Sequence, residues 1–141
     1  MNSTVLIILM LVLSSVAAGV MRMRATKADQ DPANIAKDEE AEKKYASLCE
    51  AGESIRVVCR GYKTDYYVLT TKRLMIDSKK GLTSIPLENI TKVKFQKSDG
   101  GKARQASDCQ IMTVYADKRH TMCRYSEKFD EIVASFFHTW N

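Results

Sequence analysis

From Ser54 the apolar pattern changes from a helical period to a period of two, carried by short runs separated by polar turns, and from Ser126 onward the spacing changes to three and four. A period of two belongs to half-buried strands and a period of 3.6 to an amphipathic helix, so the chain must fold as a run of short strands closed by one helix. "SIRVVCR" places Ile55, Val57 and Cys59 on one face, with Arg56 and Arg60 on the other. "DYYVLT" and "RLMID" form a hairpin across Thr70, Thr71 and Lys72. "KKGLTSIP" is a turn followed by a short strand around Thr83 to Ile85, stopped by Pro86, which cannot donate to a ladder. "ENITKVKFQK" turns Val93 and Phe95 inward and Lys92, Lys94 and Gln96 outward. After the Gly-rich loop "SDGGKARQASD", "CQIMTVYA" and "HTMCRY" make a final hairpin over Asp117, Lys118 and Arg119.

The closing helix opens on Ser126 as its N-cap, and Glu127, Asp130 and Glu131 place acid where the macrodipole favours it. Phe129, Val133, Phe136 and Trp140 recur at helical spacing, with Ile132 and Phe137 widening the stripe. An antiparallel barrel of short strands leaves an open end, and a terminal helix with this aromatic face is suited to plug it.

Two segments resemble a known family. "YYVLTTKRLMI", followed by "KKGLTSIPLENITKVKF", is similar to the bacterial pleckstrin-homology-like (PH-like) domains and the related GRAM-type modules, in which an aromatic-Val-Leu-Thr strand meets a Thr-x-Arg turn and an Ile-Pro-Leu-x-x-Ile segment follows. "AGESIRVV" also matches the Gly-Glu sequence that leads into their first strand. The resemblance covers residues 50–140. It implies a mainly β fold with α, a PH-like seven-stranded antiparallel barrel or sandwich capped by the C-terminal helix. It also implies a scaffolding or oligomerising role, with a partner peptide at an open sheet edge or in the groove beside the terminal helix.

Ahead of that domain lies an uncharged apolar run, residues 3–21. As a helix it would span about 28 Å, close to the thickness of a hydrocarbon core. Positive charge follows it, in Arg22, Arg24 and Lys27, so the expectation is a single-pass anchor at residues 1–21 with the N-terminus outside and the domain in the cytoplasm. The alternative is a signal peptide cleaved near "VAAG", with the domain secreted and its cysteines bridged. Residues 22–51 read as a polar linker, with a stalk helix over 32–50 started by Asp31 and Pro32. Glu39–Lys43 and Glu40–Lys44 support it, Gly52 ends it, and Ala41, Tyr45 and Leu48 dock its last turns on a domain of residues 52–141. Cys49, Cys59, Cys109 and Cys123 form no CxxC pair, and three fall in expected strands, so the reading is reduced, buried thiols without metal.

Residues 22–51 carry six Lys or Arg and seven Asp or Glu, whereas residues 52–141 carry sixteen and ten, so the basic excess belongs to the folded domain. Arg56, Arg60, Lys63, Lys92, Lys94, Lys97, Lys102 and Arg104 form a candidate face for anionic lipid headgroups. The second strand, "YYVLT", offers no charge for the phosphoinositide pocket of the eukaryotic relatives. Thr70, Thr71 and Arg73 read as a structural turn, with Arg73 against backbone carbonyls or Glu88. Neither His120 nor His138 sits in a nucleophile setting, and no phosphate loop is present, so no enzyme, cofactor or small-molecule substrate is expected. The basic faces lack interleaved aromatics for stacking bases, which argues against nucleic acid. The expectation is a membrane-anchored, non-catalytic module that binds a protein, itself or another, with anionic lipid as the alternative.

Overall fold

The computed structural model describes residues 29–141. The apolar run 3–21, with Arg22, Arg24 and Lys27, lies outside the described residues; among the described residues no helix is long and apolar enough to cross a membrane. The fold is mainly β: helix α1 (Pro32–Ala46), strands β1 (Ile55–Arg60), β2 (Tyr66–Thr70), β3 (Arg73–Ser78), β4 (Gly81–Pro86), β5 (Lys92–Gln96), β6 (Ile111–Tyr115) and β7 (Arg119–Cys123), then helix α2 (Phe129–Trp140). The strands form two antiparallel sheets in sequential order, β1-β2-β3-β4 and β5-β6-β7.

One core lies between the sheets. It takes Val57, Cys59, Tyr67, Leu69, Leu74 and Ile85 from the first sheet, Val93, Phe95, Met112, Val114 and Met122 from the second, and Phe129, Ile132, Val133 and Phe136 from α2. Helix α2 packs on β1 and β5, the first strand of each sheet, which is where its aromatic stripe is absorbed. Phe136 is buried, Trp140 half-buried, and Phe137 meets Phe95 edge-on at 4.9 Å.

Strand β5 obeys strict alternation: Val93 and Phe95 are buried while Lys92 and Lys94 are exposed. The first sheet does not. Val58, Val68 and Met75 on its other face are also buried, under Ala41 and Tyr45 of α1. The expected stalk is therefore a strap lying along the sheet. It ends at Ala46 rather than residue 50, and Leu48 is 42% exposed. Asp31 caps it as expected, its Oδ1 accepting the Ala33 N–H at 2.9 Å ahead of Pro32. Lys44 turns to Asp77 of β3 (3.2 Å) rather than to Glu40, and the Tyr45 hydroxyl donates to the same carboxylate at 2.5 Å.

Three other expectations are corrected. Val57 and Cys59 face the core and Arg60 the opposite side, but α1 covers that side, so Val58 and Arg60 point at α1 and not at water, and a register shift between Ile55 and Val57 turns Ile55 to the α1 side as well. Helix α2 begins at Phe129 rather than after Ser126, because Ser126 to Lys128 form a tighter turn bonded three residues apart, with the Phe129 N–H on the Ser126 carbonyl at 3.0 Å. Of the four cysteines, all free, only Cys59 and Cys109 are buried; Cys123 is exposed, and Cys109 precedes β6 instead of lying in it.

Candidate functional site

The hairpin turn between β2 and β3 holds the densest polar cluster. Thr70 Oγ1 accepts the N–H groups of Lys72 (3.1 Å) and Arg73 (3.0 Å) and donates to Glu53 at 2.5 Å. Thr71 Oγ1 accepts the Ser54 N–H at 3.1 Å. Arg73 grips Glu53 with two nitrogens, at 2.9 and 3.1 Å, and donates to the Leu48 carbonyl at 2.8 Å. The partner of Arg73 is thus Glu53 and not Glu88. With its side chain fully buried, Glu53 is held at a pKa of about 2, chiefly by the Arg73 hydrogen bonds and then by Thr70. The donors in the knot are spent within the turn, on the α1–β1 linker and, from Arg73, on the Ser84 hydroxyl of β4 (3.3 Å), so the knot ties the hairpin to its neighbours on both sides.

The eight basic residues of the candidate face do not share one surface. Arg60 is buried, and its guanidinium is clamped by Asp29 (2.6 Å) and Asp38 (3.2 Å). Asp29 simultaneously accepts from the Ser126 hydroxyl (2.9 Å) and the Glu127 N–H (3.0 Å), which ties the start of the described chain to the first turn before α2. Arg60 is therefore a structural cation and leaves the set. Arg56 is exposed beside Glu42, Lys128 and Glu131, in a shallow hollow between the two helices. Lys63 sits at φ 58° in the β1–β2 turn, its Nζ 5.4 Å from the Tyr62 ring.

What does come together is the β5 end of the second sheet. Lys92, Lys94 and Lys102 line a groove of about 440 Å³ with Val93, Phe95 and Trp140, and no carboxylate side chain lines it. Lys92 and Lys94 both lean over the Tyr115 ring, at 5.6 and 5.7 Å, a placement that keeps two like charges side by side against one electron-rich face. The loop that carries Lys97, Lys102 and Arg104 is pinned along β5: the Ala103 N–H donates to the Phe95 carbonyl and the Lys97 N–H to the Gly101 carbonyl, each at 2.8 Å. Its acids are turned inward on the loop. Asp99 accepts the Gly101 N–H, and Asp108 accepts those of Arg104 and Gln105. Lys97 is half-buried and Arg104 exposed on this loop, outside the groove lining.

Sequence reading missed Trp140 as a lining residue of the groove and Tyr115 as the ring beneath Lys92 and Lys94, and missed Asp29, Asp38 and Glu53 as the anions that neutralise Arg60 and Arg73. Each lies about twenty or more residues from its cation, so no local spacing links them.

A second groove, of about 600 Å³, runs between α1 and the first sheet, lined by Lys37, Lys44, Tyr45, Lys63, Tyr66 and Tyr125 among others. Its charges are mixed, since Glu40 and Asp77 share the lining. Burial pushes the Cys59 thiol up to about 12 and the Cys109 thiol to about 11, so both remain protonated, apolar fillers of the core. The chain matches no protein-family model, no curated protein and no solved structure.

Proposed function

We propose that the chain is a non-catalytic PH-like binding module, held at the membrane by residues 3–21 with its domain in the cytoplasm. We further propose that it takes an acidic segment of a partner protein in the Lys92–Lys94–Lys102 groove. Four sequential strands, three sequential strands and a closing helix, with the Thr-x-Arg turn between β2 and β3, support the PH-like reading. The observation that carries the binding reading is the groove itself: three lysines with no carboxylate side chain in the lining, around the apolar floor of Val93, Phe95 and Trp140. Charge supplies attraction and the aromatic floor supplies contact area, the two ingredients of a peptide site.

The test uses the full chain in neutral-lipid nanodiscs with a fluorescent oligo-glutamate peptide. Saturable binding that weakens with salt, and about tenfold or more in Lys92→Glu/Lys94→Glu/Lys102→Glu, is the expected result. Indifference to the triple charge reversal overturns the site. Stronger binding to anionic vesicles than to the peptide transfers the groove to lipid.

A further inference from the structure

Each sheet has two edge strands, β1 and β4 in one, β5 and β7 in the other. Proteins guard such edges with charge, because unpaired N–H and C=O groups recruit further strands. Exposed Arg56 guards β1, Lys92 and Lys94 guard β5, and Arg119 guards β7. Among the described residues β4, "GLTSIP", is the one edge strand with no charged side chain, and Gly81 through Ser84 are all exposed, Leu82 at 46%.

The direction of its backbone groups follows from the register. The Leu87 N–H donates to the Lys72 carbonyl at 3.0 Å, and Ser78 faces Gly81 across the two-residue Lys79-Lys80 turn. Counting by twos from either contact, Thr83 and Ile85 direct N–H and C=O to β3, while Leu82 and Ser84 direct theirs to the open edge. Pro86 closes the strand and supplies a carbonyl alone. The ends of the strand are oppositely charged: exposed Lys79 and Lys80 precede it and exposed Glu88 follows it.

We propose that β4 is a self-pairing edge, joining two copies of this chain about a two-fold axis at Thr83. An antiparallel partner with the same sequence sets Leu82 opposite Ser84 of the second copy, and each such pair exchanges both backbone hydrogen bonds. The same operation brings Lys80 of one copy to within two positions of Glu88 of the other, on both sides of the axis. A strand with like charges at its two ends, or with charge along it, could not meet itself this way. The contact is isologous and closes at two copies. It merges two four-stranded sheets into one of eight and leaves the Lys92–Lys94–Lys102 groove free. A single strand pair buries less than the area of a standard interface, about 1,200 Å² or more, so association is weak and concentration-dependent.

The experiment uses the full chain in neutral detergent micelles, with Cys49 and Cys123 replaced by serine to silence the accessible native thiols. Across the axis Thr83 meets its own copy as a non-hydrogen-bonded pair, Cα atoms about 4.5 Å apart, inside the range of a disulfide. Under mild oxidation Thr83→Cys is expected to give a covalent dimer in high yield, and Leu82→Cys several-fold less. Lys80→Glu and Glu88→Lys each weaken dimerisation in sedimentation several-fold, and the double variant recovers it. Ser84→Pro removes an outward N–H without touching a backbone bond to β3 and abolishes the dimer; the Arg73 hydrogen bond to the Ser84 hydroxyl (3.3 Å) is lost with it, so Ser84→Ala, which loses only that bond, is the control and keeps the dimer. If Ser84→Pro proves unfolded by circular dichroism, the charge exchange, on exposed positions outside the strand, decides alone. A chain that stays monomeric at every concentration, a Thr83→Cys yield no higher than that of the parent, or single charge variants not rescued by their combination overturns the proposal.

Discussion

Glu53 accepts hydrogen bonds from the Thr70 hydroxyl, from two nitrogens of Arg73 and from the Glu50 N–H, all on a side chain with no exposure to solvent. Glu53→Gln keeps the shape, loses the charge and leaves Arg73 short of an acceptor, so it is expected to cost about 2–3 kcal/mol at neutral pH in urea unfolding. The pH dependence has a definite sign. A carboxyl depressed from 4.5 to about 2 contributes fully above the unfolded value and loses that contribution as pH falls toward the folded one. Wild type should therefore lose stability between about pH 4.5 and pH 2, and the Gln variant should show a flatter profile over that window. Gly61 is constrained by contact: a Cβ there would lie 2.9 Å from Tyr67 Cζ, and that ring is buried with its hydroxyl accepting the Cys123 N–H. Gly61→Ala is expected to destabilise by about 1–3 kcal/mol, read from the shift in urea midpoint at constant slope.

Helix α1 shows how an element can be legible while its placement is not. Asp31 and Pro32 announce its start, and Ala41 and Tyr45 are indeed the residues it buries. Two buried residues make a faint stripe, however, and its other attachments, the ion pairs Arg60–Asp38 and Lys44–Asp77, are invisible to any periodicity. The sequence did contain the complementary signal. Strand β5 alternates as "KVKFQ", but "VVC", "YVL" and "LM" in β1 to β3 are continuous apolar runs, the mark of strands covered on both faces. Reading those runs as alternating placed Arg60 in solvent and made it a ligand residue. Arg60→Met leaves Asp29 and Asp38 without their cation and is expected to cost about 3 kcal/mol or more. In hydrogen exchange the α1 amides should lose protection while β2 and β3 amides keep theirs.

For the molecule as a whole, α2 is the piece that makes two small sheets into one body, since its buried face contributes to a core that both sheets share. This much followed from the aromatic load at residues 129–140, because a strand-rich chain has nothing else that such a face could cover. Phe136→Ala is expected to cost about 3–5 kcal/mol. Thermal unfolding should remain a single transition at a lower midpoint, because the larger core that α2 completes is shared by both sheets and the first sheet keeps only its smaller cluster under α1. The grouping of the basic residues could not be read in the same way: which lysines share a groove depends on how a loop of residues 97–108 folds back along β5, and "SDGGKARQASD" carries no periodicity to say so.

Asp29 fastens the chain to β1 through Arg60 and to the turn before α2 through Ser126 and Glu127. Tension applied from the N-terminus thus loads this clasp before it reaches the strap behind it. Once the clasp opens, the stretch from Asp29 to Gly52, about 80 Å long when fully extended, can unravel with both sheets still intact. Optical-tweezer traces of the full chain should show that short step ahead of the main rupture. Stretching then acts as a mechanical fuse that bares the Val58–Val68–Met75 surface while the rest of the domain holds.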